Sequence, residues 1–139
     1  MVLAAYNLCG IFRAKDQVSM ADKKCILVVD DEESICKLFG IVLNSRYEFF
    51  AAGTVEQAVD LLEENRIDLI IADQRLPRAS GLELCRIVQE TFPRTVVIMM
   101  SGSPDPEIEG LAKEAGAVEY LHKPFEMMHA LQLIERTLD

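Results

Sequence analysis

Five reactive polar residues stand just beyond short apolar runs. Asp30 and Asp31 follow Ile26–Val29, Asp73 follows Ile67–Ala72, Ser101 follows Thr95–Met100, and Lys123 comes shortly after Val118–Leu121. If these runs are parallel strands of one sheet, all five side chains meet in one crevice at the carboxyl ends. Three carboxylates there repel one another: two unit charges 4 Å apart cost about 4 kcal/mol at an effective dielectric of 20, so the cluster needs a cation. Oxygen-only ligands with room for water suit Mg2+ or Mn2+, and the lack of nearby Cys or His argues against zinc. The ion would neutralise the acids and accept phosphoryl oxygens. Lys123 offers a compact charge to meet an anion added to Asp73, and Ser101 offers a hydroxyl donor to the same oxygens. The set suits phosphoryl transfer to a carboxylate. Taken singly, each residue has a plainer use: Asp73 as a loop cap, Asp30-Asp31 as a helix cap, Ser101 in a Ser-Gly-Ser-Pro turn, Lys123 as a solvated charge. Their joint placement, strand end after strand end in chain order, favours the shared chemistry.

The elements that must position these groups follow from hydrophobic periodicity. Ile26–Val29 reads as a buried strand, and Ser34–Asn44 carries Ile35, Leu38, Phe39, Val42 and Leu43 at helical spacing. Tyr47–Ala52 is a second strand and Gly53 a break. Thr54-Val-Glu-Gln57 is a capping box that opens a helix through Glu64. Ile67–Ala72 is the third strand. Pro77, Ser80 and Gly81 mark a turn before a helix over Gly81–Thr91. Thr95–Met100 is the fourth strand. A helix over Pro106–Ala115 contains Gly110, which costs roughly 1 kcal/mol relative to Ala and suggests a movable element. Gly116 ends it, Val118–Leu121 is the fifth strand, and Phe125–Leu138 the last helix. Five strands alternating with five helices predict a single doubly wound α/β domain with a parallel sheet in the order 2-1-3-4-5.

With 139 residues, half of them apolar, the chain has enough material for one substantial core. The net charge of −9 argues against general binding to nucleic acid or anionic membrane, and points to protein or cation partners. No run of 18 apolar residues spans a bilayer, and the basic residues Arg13 and Lys15 follow the apolar Met1–Phe12 instead of preceding it as in a secretory signal. A cytoplasmic protein is expected. Cys9, Cys25, Cys36 and Cys85 are widely spaced and form no Cys-x-x-Cys pair, as expected of free thiols, mostly buried. Residues 1–23 read as an N-terminal extension ahead of a domain at 24–139. Met20 offers an alternative start, and Val2, Ala5, Tyr6, Cys9 and Phe12 could line one side of a docking arm.

Ile-Leu-Val-Val-Asp-Asp-Glu at 26–32, Asp73 with Leu76-Pro77 and Gly81, Ser101-Gly102, and Gly116-Ala-Val-Glu-Tyr-Leu-His-Lys-Pro-Phe125 resemble the receiver domain of two-component response regulators. The resemblance covers about residues 24–139 and implies a flavodoxin-like fold. It implies that Asp73 is the phosphoacceptor, that Asp30, Asp31 and Asp73 bind Mg2+ with the Arg75 backbone carbonyl, and that Ser101 and Lys123 contact the phosphoryl group. Tyr120 matches the family's aromatic switch residue. The implied donor is a phosphohistidine on a sensor histidine kinase or histidine phosphotransfer protein. The implied readout is a downstream protein or a second copy, engaged through the helix at 106–115, the strand at 118–121 and the last helix. Such a domain assists its own phosphorylation and dephosphorylation and is not a stand-alone enzyme.

The chain departs from the family pattern in places. Ser101 stands where many receivers have Thr, keeping the hydroxyl without the methyl, and Gly102 loosens the loop that follows. Arg75 is long and charged, either solvated or turned to the phosphoryl group. Pro104 and Pro106 stiffen the approach to the next helix. The last helix carries Met127, Met128, Ala130, Leu131, Leu133, Ile134 and Leu138, more apolar positions than one core stripe needs. With Ala112, Val118 and Tyr120 it is expected to offer a protein-binding face, or else to be covered by the N-terminal arm. Two other readings compete. One is a receiver belonging to a larger transcription factor or signalling enzyme. The other is a hydrolase of the haloacid dehalogenase type, disfavoured because Arg75 stands where that family has a second Asp.

Overall fold

A computed structural model of the chain describes residues 23–103 and 105–139. The N-terminal arm (Val2, Ala5, Tyr6, Cys9, Phe12), Met20 and Pro104 lie outside the described residues.

The apolar runs form the strands β1 (Cys25–Val29), β2 (Glu48–Ala52), β3 (Leu69–Asp73), β6 (Val96–Ser101) and β7 (Ala117–His122). They are joined by helices α1 (Glu33–Leu43), α2 (Val55–Glu64), α3 (Gly81–Thr91), α4 (Pro106–Glu114) and α5 (Met127–Leu138). The five strands pair in parallel in the order β2-β1-β3-β6-β7, the predicted 2-1-3-4-5. β1 and β3 are buried along their whole length, as central parallel strands covered on both faces must be.

Strand alternation divides the core in two. Leu27, Val29, Ile70, Ala72, Val97 and Met99 face the layer of α2, α3 and α4, where Leu62, Leu84, Val88 and Ala112 meet them. Ile26, Val28, Leu69, Ile71, Ile98 and Met100 face α1 and α5, against Phe39, Leu43, Leu133 and Ile134. Neighbours along each strand therefore report to different helical layers.

Local chemistry sets the helix starts. Thr54 caps α2 by accepting from the Gln57 N–H at 3.1 Å, while the Gln57 side chain accepts from the Gly53 N–H at 2.8 Å. The predicted capping box forms with its return bond one residue early. Ser80 caps α3, accepting from the Glu83 N–H at 3.3 Å, and Asp105 caps α4 ahead of Pro106.

Several expected boundaries shift. β3 begins at Leu69 instead of Ile67 and takes in Asp73, while β6 takes in Ser101 and β7 extends to His122. α5 begins at Met127 after the extended N-cap residue Glu126, and Phe125 ahead of it packs against Phe39 with ring centroids 5.7 Å apart. Between β3 and α3 lies a small hairpin, β4 (Arg75–Leu76) paired with β5 (Ala79–Ser80), its turn closed by Arg78 at φ 62°. Ala112 is fully buried, so it cannot belong to the protein-binding face expected of it. The exposed apolar residues there are Val118 and Met128, at 48% and 65%. Among the described residues no helix is long and apolar enough to cross a membrane.

Candidate functional site

A parallel sheet brings its strand carboxyl ends together, and the register here sets three charged residues on one side of that edge. Asp30 continues the alternation of Ile26 and Val28, Asp73 that of Leu69 and Ile71, and Lys123 that of Leu121, all on the α1/α5 side. The side chains meet. Lys123 Nζ lies 2.8 Å from Asp30 Oδ2, 3.2 Å from Asp73 Oδ2 and 3.5 Å from Glu32 Oε1. Its side chain is only 15% exposed, which overturns the solvated-charge alternative.

Asp31 completes an acidic group: Asp30, Asp31 and Asp73 each offer a carboxylate oxygen within 4.8 Å of the others. Asp30 and Asp73 are buried and Asp31 is exposed. Asp30 also serves the backbone, its Oδ1 accepting from the Glu32 N–H at 2.9 Å. One Lys does not balance three carboxylates, and burial raises the energy of the charge left over. The Asp73 carboxyl is accordingly pushed up from its ordinary range, first by burial and then by the Asp30 charge. Lys123 and the Arg75 backbone N–H act in the opposite sense. Burial alone would lower the Lys123 ammonium, but its hydrogen bond and charge pairing with Asp30, then those with Asp73, outweigh that and raise it. The all-oxygen donor set and residual negative charge fit a small hard cation such as Mg2+ or Mn2+.

Above Asp73 opens a cleft of about 540 Å³, lined by Gln74, Arg75, Ser101, Asp105 and Lys123 among others. Ser101 reaches the cleft from β6, but its hydroxyl is held in a local turn, accepting from the Ser103 N–H and donating to the Ser103 carbonyl, each at 3.1 Å. The turn foreseen as an alternative use of Ser101 thus exists, at the rim of the site. Arg75 is exposed and lines the cleft. Tyr120 lies on β7 with its ring packed on the α2/α3/α4 core and its hydroxyl buried. Two neighbours of the site do not stand out in the sequence: Glu32, which directly follows the Asp30-Asp31 pair and reaches Lys123, and Gln74, an uncharged amide beside Asp73 that carries no charge signal.

Residues 26–135 match the family model described as the response regulator receiver domain. The chain belongs to that family. Relatives of the receiver include the response regulator protein PilR of Pseudomonas aeruginosa, 36% identical over 81% of this chain and 25% of PilR. The regulatory protein VanR of Enterococcus faecium is 34% identical over 86% of this chain and 51% of VanR. The alkaline phosphatase synthesis transcriptional regulatory protein PhoP of Bacillus subtilis is 36% identical over 73% of this chain and 43% of PhoP. The chain thus spans between a quarter and a half of the length of these curated relatives. Among solved structures, a CheY-like receiver domain protein of Methanospirillum hungatei superposes with a TM-score of 0.81 at 29% identity, covering 85% of this chain and 95% of that one. The BeF3-activated DrrB receiver domain superposes with a TM-score of 0.78 at 33% identity, covering 84% and 97%.

Proposed function

We propose that the receiver takes a phosphoryl group on Asp73 from a phosphohistidine of a sensor histidine kinase or histidine phosphotransfer protein, and uses it to switch a protein-binding face. The observation that carries this reading is the clamp of Lys123 on Asp30 and Asp73 beside Asp31, with Asp73 and Lys123 lining an open cleft. In the transfer the donor N–P bond breaks as an Asp73 carboxylate oxygen forms a bond to phosphorus, and the electron pair leaves with the imidazole. Asp30, Asp31, Asp73 and the Arg75 backbone carbonyl would hold Mg2+, or Mn2+, which supplies charge neutralisation for the acids and for the phosphoryl oxygens. Asp73 is held in place by the end of β3. Lys123 exchanges part of its pairing with the Asp73 carboxylate for the new phosphoryl oxygens, a charge-assisted contact. Ser101 leaves its turn with Ser103 and donates to the same group. Water later cleaves the acyl phosphate.

The readout follows from what Ser101 vacates, with Tyr120 as the aromatic switch on the same side of the sheet. Moving a two-state balance from 1:99 to 99:1 takes about 5.5 kcal/mol of differential interaction. Contacts from Lys123 and Ser101 together with a metal ion are of the size to supply much of it. The face that changes comprises α4, β7 and α5, where Val118 and Met128 are exposed, and it would take a downstream protein or a second copy. The receiver domain would span residues 24–139, behind an extension at 1–23, in the cytoplasm. Direct nucleic-acid binding and membrane insertion are not part of this role, nor is turnover of an external substrate.

The test is intact-protein mass after incubation with a small-molecule phosphodonor, with and without Mg2+, for wild type and Asp73→Asn. One Mg2+-dependent addition that is absent from the variant is expected. No addition to the wild type, where a control receiver is labelled, would overturn the reading. A second reading is favoured by the short share of its relatives that the chain spans: the same phosphorylated receiver acts as the input domain of a longer transcriptional regulator.

A further inference from the structure

Two buried polar atoms near the site have no hydrogen-bond partner among the described residues: Gln74 Oε1 and the Tyr120 hydroxyl. The first can only accept and the second can donate, so each is what the other lacks. Leaving a buried polar group unmade is costly, which makes such a complementary pair a feature that calls for a partner.

The register places them on the same side of the sheet. Ile70 and Ala72 face the α2/α3/α4 layer, and Gln74 follows two residues on, its N–H still bonded to the Met100 carbonyl at 2.7 Å. On β6, Val97 and Met99 face that layer and Ser101 continues the series. On β7, Tyr120 packs against the same core and stands opposite Met99. Gln74, Ser101 and Tyr120 therefore form a diagonal row over three adjacent strands, with Ser101 in the middle.

The spacing permits contact across Ser101. Two strand spacings and an offset of two residues separate the Cα atoms of Gln74 and Tyr120 by about 12 Å. A tyrosine hydroxyl stands about 6.5 Å and a glutamine side-chain oxygen about 4.5 Å from its own Cα. A hydrogen bond adds about 2.8 Å, so the gap closes only when both side chains lean along the row over Ser101 instead of standing upright from the sheet. The small side chain of Ser101 leaves this path open except for its own turn with Ser103, which occupies the middle of the row.

We propose that Gln74 is a positioning residue of the switch: its Oε1 accepts a hydrogen bond from the Tyr120 hydroxyl across Ser101 once Ser101 turns to a phosphoryl group on Asp73. This rests on the reading of Asp73 as the acceptor, and it adds a partner that holds Tyr120 in the switched position. Gln74 acts through Tyr120 and forms no bond to phosphorus.

The test is a double-mutant cycle of wild type, Gln74→Met, Tyr120→Phe and the double variant. Each protein is read by hydrogen–deuterium exchange of α4, free and loaded with Mg2+ and beryllofluoride as a stable stand-in for the phosphoryl group. In the loaded form each single variant should speed α4 exchange about fivefold, the loss of one hydrogen bond. The double variant should stay near that same factor, since either change alone breaks the pair. In the free form, where neither atom has a partner, the variants should exchange no faster than wild type. Multiplying effects in the loaded form, or equal effects with and without beryllofluoride, would overturn the pairing. Phosphodonor labelling of the wild type, read by mass, runs alongside: absence of labelling overturns the acceptor reading and the pairing with it. Labelling together with an additive cycle overturns the pairing alone.

Discussion

Gly81→Ala tests whether Asp73 is held by backbone packing as tightly as the structure requires. Gly81 opens α3, and its N–H donates to the Gln74 carbonyl at 3.0 Å. A Cβ at Gly81 would lie 2.5 Å from the Asp73 carbonyl oxygen, 2.5 Å from Met99 Sδ and 3.2 Å from the Asp73 carbonyl carbon. The two shortest distances are roughly 1 Å inside the 3.5–4.0 Å optimum for carbon contacts. Met99 is fully enclosed at 0% exposure, so its sulfur has nowhere to go, and the carbonyl belongs to the backbone of Asp73 itself. Overpacking of this kind costs about 1–3 kcal/mol. The better helix propensity of Ala returns about 1 kcal/mol at most, and less at a helix end. A net loss of about 1–2 kcal/mol is expected, a fall in Tm of about 3–8 °C for a domain of this size. The assay is urea unfolding, in which the midpoint should fall with the slope unchanged. The strain falls on the Asp73 backbone and so disturbs its 3.2 Å contact with Lys123, and the initial rate of phosphodonor labelling should fall about tenfold, equivalent to about 1.4 kcal/mol. A variant as stable as wild type that labels at the wild-type rate would refute the close approach, and with it the view that α3 fixes Asp73.

Lys123→Met should cost up to about 3–5 kcal/mol in Mg2+-free solution, because it leaves Asp30 and Asp73 without their cation, and Mg2+ should restore most of the loss; urea midpoints with and without the metal check this. Asp73→Asn tests the raised Asp73 carboxyl. Its folded-state pKa lies above the ordinary 3.8, so the stability it contributes is fully present below that value and is lost as pH rises through the folded pKa. The difference in unfolding midpoint between Asp73→Asn and wild type, without Mg2+, should therefore grow in favour of the variant from pH 3.5 to pH 7; a constant difference would refute it. Burial pushes the Cys25 and Cys85 thiols up to about 12 and Cys36 up to about 11. All three should resist maleimide at pH 8 in the native protein and react in urea, as read by peptide mass.

The alternation of short aliphatic runs and amphipathic stretches made the sheet order legible, since five parallel strands with short connections leave few topologies. Asp30, Asp73 and Lys123 were legible for the same reason, as parallel strands collect their carboxyl ends at one edge whatever the intervening sequence. Strand limits were less so. Ile67 is as apolar as Leu69 and as buried, but its carbonyl is taken by the Thr95 hydroxyl at 2.6 Å instead of by a strand neighbour. The hairpin Arg75–Ser80 was read only as a turn, because two-residue strands have no periodicity to detect. The sequence pattern puts Ala112 on a surface, whereas it is the one fully enclosed residue of α4. A short helix with Ile108, Gly110, Leu111 and Ala112 has apolar residues spread too widely for its core face to be chosen from spacing alone.

The alternation of the strands also explains how a charge event on one side of the sheet can reach the other. Asp30, Asp73 and Lys123 continue the strand positions that face α1 and α5, whereas Gln74, Ser101 and Tyr120 continue those that face α2, α3 and α4. Within the strands the two rows are separated by the backbone, and a phosphoryl group on Asp73 would not touch Tyr120. Only at the carboxyl edge does the separation fail, because Ser101 is the last residue of β6 and can turn over the end of the strand. Met100, its neighbour, is fully buried among the α1/α5 contacts and has no such freedom. Among the described residues of that edge, the Ser101 hydroxyl, now bonded to Ser103, is the one that the proposed switch would draw to Asp73. A Ser101→Ala receiver should therefore still take up the phosphoryl group through Lys123 while its α4 exchange no longer responds to it. Loss of labelling with the α4 response retained in whatever fraction is labelled would show that the coupling runs by another route.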